Sequence, residues 1–235
     1  MSGIFEFTGI PTEGFAFLNE LRENNDKEWF TDNKQRYIDF VQTPAVALVQ
    51  ELGQRLQAKF PNVHYDTRLN GSGSLMRIYR DTRFSKDKTP YKTNIAMLWW
   101  EGVGKKTANP AFGLQITPDS AGLMTGMHSF DKTWLTAYRD AVLDDKFGHE
   151  LVEIVQTIDA AGDSYEVGWQ HYKKTPRGYT DPADARSPLL LHNALYAHVT
   201  EIPQTDVMSA EFVDVCMTHF ELMSPIQQWL VKIRA

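Results

Sequence analysis

The sequence predicts an α+β fold, in which a mostly antiparallel sheet packs with N-terminal and C-terminal helices. Three observations predict it. Apolar side chains recur at helical spacing near the start of the chain, short apolar runs bounded by turn residues fill the middle, and helical spacing returns at the end. With 235 residues and 42% apolar side chains, the chain can bury a large core. We therefore predict a single domain over 1–235, with a helical part at about 1–60, a sheet-containing part at about 61–205 and a helical part at about 206–235.

The N-terminal part predicts three helices. Asn25 followed by Glu28 has the form of a capping box, which predicts the start of the second helix. Thr43 and Pro44 predict a third, separate helix, because proline is tolerated at the first helical position. Pro61 ends that helix. The first helix is predicted from apolar residues at a spacing of three: Phe15, Leu18 and Leu21.

The middle of the chain predicts strands, because each of its short apolar runs is bounded by Gly, Pro, Asn or Asp. Pro225 lies inside the last helical pattern, so it either kinks that helix or begins another. The strands are predicted at residues 75–79, 93–100, 112–117, 123–128 and 195–202. The later helices are predicted at 134–143, at 151–158 and around Phe212, Cys216, Phe220 and Met223.

The charge of the chain is unevenly distributed. The whole chain carries 24 basic and 30 acidic side chains, a net charge of −6. Residues 77–93 instead carry six basic and two acidic side chains, a net charge of +4. The overall acidity disfavours binding to nucleic acid, because a polyanion is repelled by it. The basic segment therefore predicts a local site for a small anionic ligand.

The basic segment places arginine at every third position and interleaves tyrosine and aspartate. Guanidinium groups bind carboxylate or phosphate through two parallel hydrogen bonds, and aspartates can orient them. A lysine adds a point charge, and a tyrosine hydroxyl can donate to an oxyanion. The predicted ligand-binding residues of this segment are Arg77, Arg80, Asp81, Arg83, Lys88, Tyr91 and Lys92.

Two other functions are compatible with the same residues. The arginines and aspartates can pair with one another as a structural network in a scaffold or protein-interaction module. The segment can also belong to a nucleic-acid-associated module, whose binding would fall steeply with salt. Whether the site is enzymatic stays open, and the deciding feature is whether the arginine side chains converge on an open pocket.

The segment at 77–91 resembles a family signature. Written RxxRDxRFxxDKxPY, it is similar to the motif of domain-of-unknown-function family 2461 of bacteria and fungi. The likeness extends to the N-terminal helices, through residues 7–9 and 27–30. It also reaches 174–179, where Thr-Pro-Arg-Gly-Tyr stands for the "PKGY" of that family. The resemblance implies a fold and a motif, and it implies no activity, substrate or cofactor.

A second segment, residues 172–179, also interleaves basic and aromatic side chains. Such an arrangement can hold a phosphate beside a stacked base. The alternative is a surface loop whose tyrosines cover the edge of the core. The predicted ligand-binding residues here are Lys174, Arg177 and Tyr179.

Other kinds of site find no support in the sequence. It has no phosphate-binding P-loop or nucleophile elbow, and its seven histidines lack metal-ligand spacing, so we predict neither metal nor cofactor. The longest apolar run, 95–100, is far shorter than the roughly 20 residues of a membrane-spanning helix, so we predict no membrane partner. The single cysteine, Cys216, cannot form an internal disulfide, which predicts a reducing, cytoplasmic location. No oligomeric state is predicted.

Overall fold

Helices form at both ends of the chain, and a sheet lies between them in sequence. The computed structural model describes residues 6–162 and 164–234. The α+β class is confirmed, as are the later helices and the strands predicted from 93 onward. Most bounds lie within a few residues of the prediction, but the helix predicted at 151–158 begins earlier, at Asp145. The helices are α1 (Thr12–Glu23), α2 (Lys27–Tyr37), α3 (Thr43–Lys59), α4 (Lys132–Leu143), α5 (Asp145–Asp159), α6 (Gln204–Val207) and α7 (Phe212–Arg234).

The cap of α2 differs from the predicted one. Asp26 is the N-cap, and its carboxylate accepts hydrogen bonds from the backbone N–H groups of Glu28 and Trp29, both at 2.9 Å. The capping box predicted at Asn25 and Glu28 is therefore wrong by one residue. The cap falls to Asp26 because the side chain of Asn25 is bonded to the backbone of Tyr91 instead.

The predicted break before Thr43 is also wrong. A π-helical segment, Ile38–Gln42, joins α2 to α3, and the backbone stays in the right-handed helical region on both sides of it. The N–H of Thr43 bonds to the carbonyl of Ile38, five residues earlier. Pro44 has no N–H for the carbonyl of Phe40, which leaves that carbonyl without its usual helical donor. Proline at the start of α3 therefore modifies a continuous helix and begins no new one.

The sheet has six antiparallel strands in the order β1-β2-β3-β4-β6-β5. The strand predicted at 75–79 is wrong, because this segment forms only isolated bridges, from Leu75 to Met97 of β2 and from Tyr79 to Tyr91. Strands β1 and β5 were not predicted. The strands are β1 (Val63–His64), β2 (Ile95–Glu101), β3 (Ala111–Ile116), β4 (Ser120–Met127), β5 (Tyr165–Gln170) and β6 (His192–Pro203).

The chain divides into two compact units. The single-domain organisation stays a prediction. Unit 1 comprises Met1–Trp99, Gly113–Gly122 and Glu201–Thr218. Unit 2 comprises Trp100–Phe112, Leu123–Thr200 and His219–Ala235.

Unit 1 buries the apolar faces of its N-terminal helices. The indole of Trp99 is fully buried and donates a hydrogen bond to the carbonyl of Val49 on α3 at 3.0 Å. The ring of Phe17 on α1 lies 6.2 Å from that of Phe30 on α2, edge to face, which fixes the packing of the two helices. The carbonyl of Phe40 lies so close to Gly14 that a side chain there would meet it at 2.5 Å. The π-helical segment is thereby held tightly against α1.

Unit 2 is built around aromatic residues whose polar atoms are satisfied. The ring of Tyr138 meets that of Trp229 edge to face at 5.9 Å, and its hydroxyl donates to the carbonyl of Leu189 at 2.8 Å. The indole of Trp229 donates to the carbonyl of Phe147 at 2.9 Å. Helix α7 passes through Pro225 without ending, so this proline begins no new helix. Within the described residues, no helix has the length and apolar character needed to cross a membrane.

Candidate functional site

The basic segment folds as a short antiparallel ribbon closed by a loop, all within unit 1. The N–H of Arg80 bonds to the carbonyl of Pro90 at 2.9 Å, and the N–H of Lys92 bonds to the carbonyl of Ile78 at 2.7 Å. Because successive side chains of an extended ribbon point to opposite faces, the predicted site residues are distributed over two faces and a loop. No single face of the ribbon therefore carries all of them.

Tyr91 belongs to the core of unit 1. Its ring is 4% exposed and stacks on Phe30 at 4.1 Å between centroids. Burial is the main cause that raises the pKa of its phenol. On the open side, the ring of Tyr79 lies 5.4 Å away and is 59% exposed. Tyr91 therefore anchors the ribbon, and Tyr79 is the tyrosine that the ribbon presents to solvent.

Arg83 is engaged by an aspartate two residues earlier. Its Nε and Nη2 donate to the two carboxylate oxygens of Asp81 at 2.9 and 2.7 Å. This pair is the main cause that lowers the pKa of Asp81 to about 2. The guanidinium of Arg83 is 77% exposed, so the pair lies in solvent and its energetic contribution is small.

Arg80 is engaged at the other end of the loop. Its Nη1 donates to the carboxylate of Asp87 and to the hydroxyl of Thr89. The backbone N–H of Thr89 and the guanidinium of Arg80 together lower the pKa of Asp87 to about 2. Lys88 donates from Nζ to the carbonyl of Thr82 at 2.8 Å. The charges of Arg80, Asp81, Arg83 and Lys88 thus hold the loop in shape.

Arg77 differs from the other two arginines of the segment. It is exposed, and it forms no hydrogen bond or ion pair with the residues that the structure describes. Its side chain crosses Gly71, where an added Cβ would meet the Cδ of Arg77 at 2.9 Å. Lys92 is half-buried nearby. Burial lowers the pKa of Lys92, and the charge of Arg77 lowers it further. Two cations therefore lie close together, and no carboxylate of the residues that the structure describes is bound to either.

Arg77 also lines a cleft of about 170 Å³. One wall is formed by the end of α2 and the π-helical segment, and the other by the first arm of the ribbon. A second cation, Lys34, stands on the helical wall. The remaining lining residues are mostly apolar. They are Phe30, Tyr37, Ile38, Gln42, Leu69, Leu75, Met76, Ile78 and Tyr79.

Tyr37 supplies a hydrogen-bond donor inside the cleft. Burial raises the pKa of its phenol to about 12, and a hydrogen bond to Gln42 opposes that shift in part. The phenol therefore stays protonated at neutral pH and can donate to a ligand. Tyr37 immediately precedes the π-helical segment, and Gln42 is its last residue. A π-helical turn is rare and often occurs at functional sites.

The second predicted segment lies in unit 2. Lys174 and Arg177 are exposed, and Tyr179 is half-buried. The guanidinium carbon of Arg139 lies 4.9 Å from the ring centre of Tyr172 and 5.5 Å from that of Tyr179. One cation of the chain therefore already engages both rings, which favours the interpretation of this segment as a surface loop. Sequence reasoning did not single out Arg139.

Sequence reasoning also missed the helical wall of the cleft. The predicted site residues did not include Lys34, Tyr37 or Gln42. These residues precede Arg77 by about 40 positions, so no local pattern connects them to the basic segment. Their one sequence signal is Pro44, which follows the π-helical segment. Among the described residues, no group of three or more His, Cys, Asp or Glu side chains is placed to hold a metal ion.

The fold and the cleft together define an α+β protein with a basic, apolar-walled cleft beside a helical irregularity. Comparison with family models assigns the chain plainly: it belongs to the family of conserved hypothetical proteins DUF2461, whose model matches residues 13–229. The match includes the helical wall, the ribbon and the loop. Comparison with curated proteins finds no match.

Proposed function

We propose that this protein binds a small anion that carries an apolar group, in the cleft bordered by Arg77 and Lys34. The observation that carries the proposal is the state of Arg77. It is an always-charged, planar donor that the described residues leave without a hydrogen-bond partner, at the edge of a mostly apolar cleft. Carboxylate and phosphate are the groups that a guanidinium binds best.

The size and walls of the cleft limit the apolar part of the ligand. A cavity of roughly 150 Å³ accommodates benzene, so a cleft of about 170 Å³ suits a single ring or a short branched chain. The phenol of Tyr37 donates a hydrogen bond to a polar atom near the ring. We propose aromatic carboxylates and aryl phosphates as the ligand class.

Titration with benzoate, phenyl phosphate and inorganic phosphate, followed by backbone amide shifts, tests this function. We expect the two aromatic anions to shift amides in 34–42 and 75–79, and inorganic phosphate to bind more weakly. Arg77→Gln should weaken binding by roughly 10-fold to 100-fold, because it removes one charge-assisted hydrogen-bonding group. Arg83→Gln is the matched control, since Arg83 bonds to Asp81 outside the cleft. Unchanged binding in Arg77→Gln would overturn the proposal.

The loop at 80–89 supports a second, structural role for the rest of the motif. Arg80 and Arg83 pair with aspartates of the same loop, and Arg80 is the less exposed of the two. We infer that these pairs shape the loop and leave ligand binding to Arg77. A nucleic-acid interface stays the remaining alternative, tested by the salt dependence of oligonucleotide binding.

The cytoplasmic location is also proposed. Cys216 is buried and free, and burial raises its pKa well above the usual value of a thiol. A buried neutral thiol acts as a small core residue, which suits a reducing compartment.

A further inference from the structure

The loop at 80–89, called here the docking loop, presents an aromatic ring to solvent at its tip. Phe84 is 95% exposed, which is more than any other large hydrophobic side chain of the described residues. The guanidinium carbon of Arg83 lies 5.8 Å from the ring centre. The loop behind the ring is closed by the Arg80–Asp87 pair and by the hydrogen bond from Lys88 to the carbonyl of Thr82. Phe84 therefore projects from a preorganised loop, which lowers the entropy cost of a contact made there.

The docking loop is basic within an acidic chain. It carries four basic and two acidic side chains, a net charge of +2, whereas the whole chain has a net charge of −6. Lys86 is exposed and forms no hydrogen bond or ion pair with the described residues. A surface that accepts the loop should therefore combine an apolar recess with local carboxylates.

Unit 1 itself contains such a surface. A groove of about 530 Å³ runs between the segment before α1 and the start of α3. Its apolar wall includes Met208, which is 38% exposed, and Pro44. Its rim carries three exposed carboxylates, and no basic residue is among its described lining residues. The lining residues are Glu6, Phe7, Thr8, Gly9, Pro11, Thr12, Glu13, Asp39, Thr43, Pro44, Ala47 and Met208.

We propose that the docking loop of one copy of this chain binds the groove of a second copy. Phe84 enters the apolar recess, and Arg83 and Lys86 meet the carboxylates of the rim. The docking loop does not bind the groove of its own copy. The loop and the groove both lie in unit 1, and Phe84 is nonetheless almost fully exposed. A membrane or a nucleic acid suits the loop less well, because either would present negative charge to the acidic remainder of the chain.

The contact pairs two different surfaces, so it is heterologous and adds copies head to tail. One aromatic anchor and a few exposed ion pairs predict weak association, with a dissociation constant of roughly 0.1–1 mM. It should weaken further with salt, because exposed ion pairs are screened. Neither Arg77 nor the cleft of the proposed function takes part, so the two proposals stand or fall separately.

Intermolecular paramagnetic broadening tests the contact directly. Ser85→Cys with a nitroxide label places a probe beside Phe84, and the native Cys216 is buried and should stay unlabelled. The labelled chain is mixed with wild-type chain that is enriched in ¹⁵N and carries no nitroxide. The total concentration is about 1 mM, to match the expected affinity. We expect amides of 8–13 and 43–47 in the enriched chain to broaden selectively.

Two variants act as controls for the two surfaces. Phe84→Ser in the labelled chain should abolish the broadening, and so should the pair Glu13→Lys and Asp39→Lys in the enriched chain. Reversing the loop as well, with Lys86→Glu, should restore part of it, because Lys86 has no partner among the described residues that the change would remove.

Three outcomes would overturn the proposal. The first is no selective broadening at this concentration, and the second is broadening that Phe84→Ser leaves unaffected. The third is broadening of the loop amides that occurs only when vesicles of phosphatidylcholine and phosphatidylserine are added. The amide spectrum of each variant shows whether it is folded, so a loss of broadening cannot be mistaken for unfolding.

Discussion

Asn25 holds Tyr91 through both atoms of its side-chain amide. Its Nδ2 donates to the carbonyl of Tyr91 at 3.0 Å, and its Oδ1 accepts from the backbone N–H of Tyr91, also at 3.0 Å. A single side chain thus substitutes for a strand neighbour at this position of the ribbon. The contact attaches the ribbon to the turn between α1 and α2, and so fixes one wall of the cleft relative to the other.

Asn25→Ala should lower the free energy of unfolding by about 2–3 kcal/mol, because it leaves two partly buried backbone groups without partners. Urea denaturation measures the change. Asn24→Ala is the matched control, since the Asn24 side chain makes only an exposed bond to the carbonyl of Glu20. A similar loss in both variants would contradict this role of Asn25.

Asp26→Ala should cost about 1 kcal/mol, because Asp26 supplies the acceptor for two N–H groups at the start of α2. Asp32→Ala provides the comparison, as Asp32 lies on the exposed side of the same helix. The denaturation midpoint distinguishes them. If Asp32→Ala proved as damaging, the loss would reflect the charge of α2 and not its cap.

Gly73→Ala should be strongly destabilising, by more than about 2 kcal/mol. A Cβ at Gly73 would lie 1.9 Å from the carbonyl oxygen of Arg68, which is backbone and cannot turn away. The turn is also closed by the N–H of Ser74 bonding to the carbonyl of Asp66 at 2.7 Å. Thermal unfolding measures the effect. Gly168→Ala should be tolerated, because its Cβ would meet only the ring of Tyr196 at 3.9 Å.

His192 should make stability depend on pH between about 6.5 and 4. Its ring is 7% exposed, and its Nδ1 is buried without a partner in the described residues. Burial lowers its pKa to about 4. The unfolded chain has the ordinary value of about 6.5 and therefore binds the proton first, so stability falls as the pH drops through this window.

The size of the effect should be roughly 3 kcal/mol, from the shift in pKa. His192→Gln should flatten the dependence of the free energy of unfolding on pH in this window. His149→Gln is the control, because His149 is exposed on α5. A slope unchanged by His192→Gln would assign the dependence to other groups.

The helices and the longer strands could be predicted because each carries its own periodic pattern. The two-residue β1 is too short to show a period. β5 contains Gly168 and the charged Glu166, and it becomes a strand by pairing with β6, for example Val167 with Ala197. That pairing joins positions about 30 residues apart, which a local pattern does not report.

The strand wrongly predicted at 75–79 fails for a geometric reason. The N–H of Met76 bonds to the carbonyl of Ala96, whereas the carbonyl of Ile78 bonds to the N–H of Lys92. In a regular antiparallel ladder, a step of two residues along one strand corresponds to a step of two along its partner. Here the step from Met76 to Ile78 corresponds to a step of four on the partner, from Ala96 to Lys92. The partner bends at residues 93–94, so the ladder breaks and only isolated bridges form.

The candidate site was predicted only in part. The composition of the motif identified Arg77, but it also grouped Arg77 with arginines that the structure pairs with aspartates nearby. Asp81 is two residues from Arg83, and Asp87 is seven from Arg80. The sequence contains these acids, but local backbone geometry decides which arginine each one reaches.

The π-helical segment sets the rotational phase of α3. Each residue of an α-helix advances by about 100°, so deleting one residue from Ile38–Gln42 would turn the rest of α3 by about that angle. Val49 and Leu52, which are both fully buried, would then leave the buried side of the helix. The number of residues in the π-helical segment is therefore as constrained as their identity. A chain that keeps the core of α3 must also keep the extra residue of this segment, which shapes the cleft.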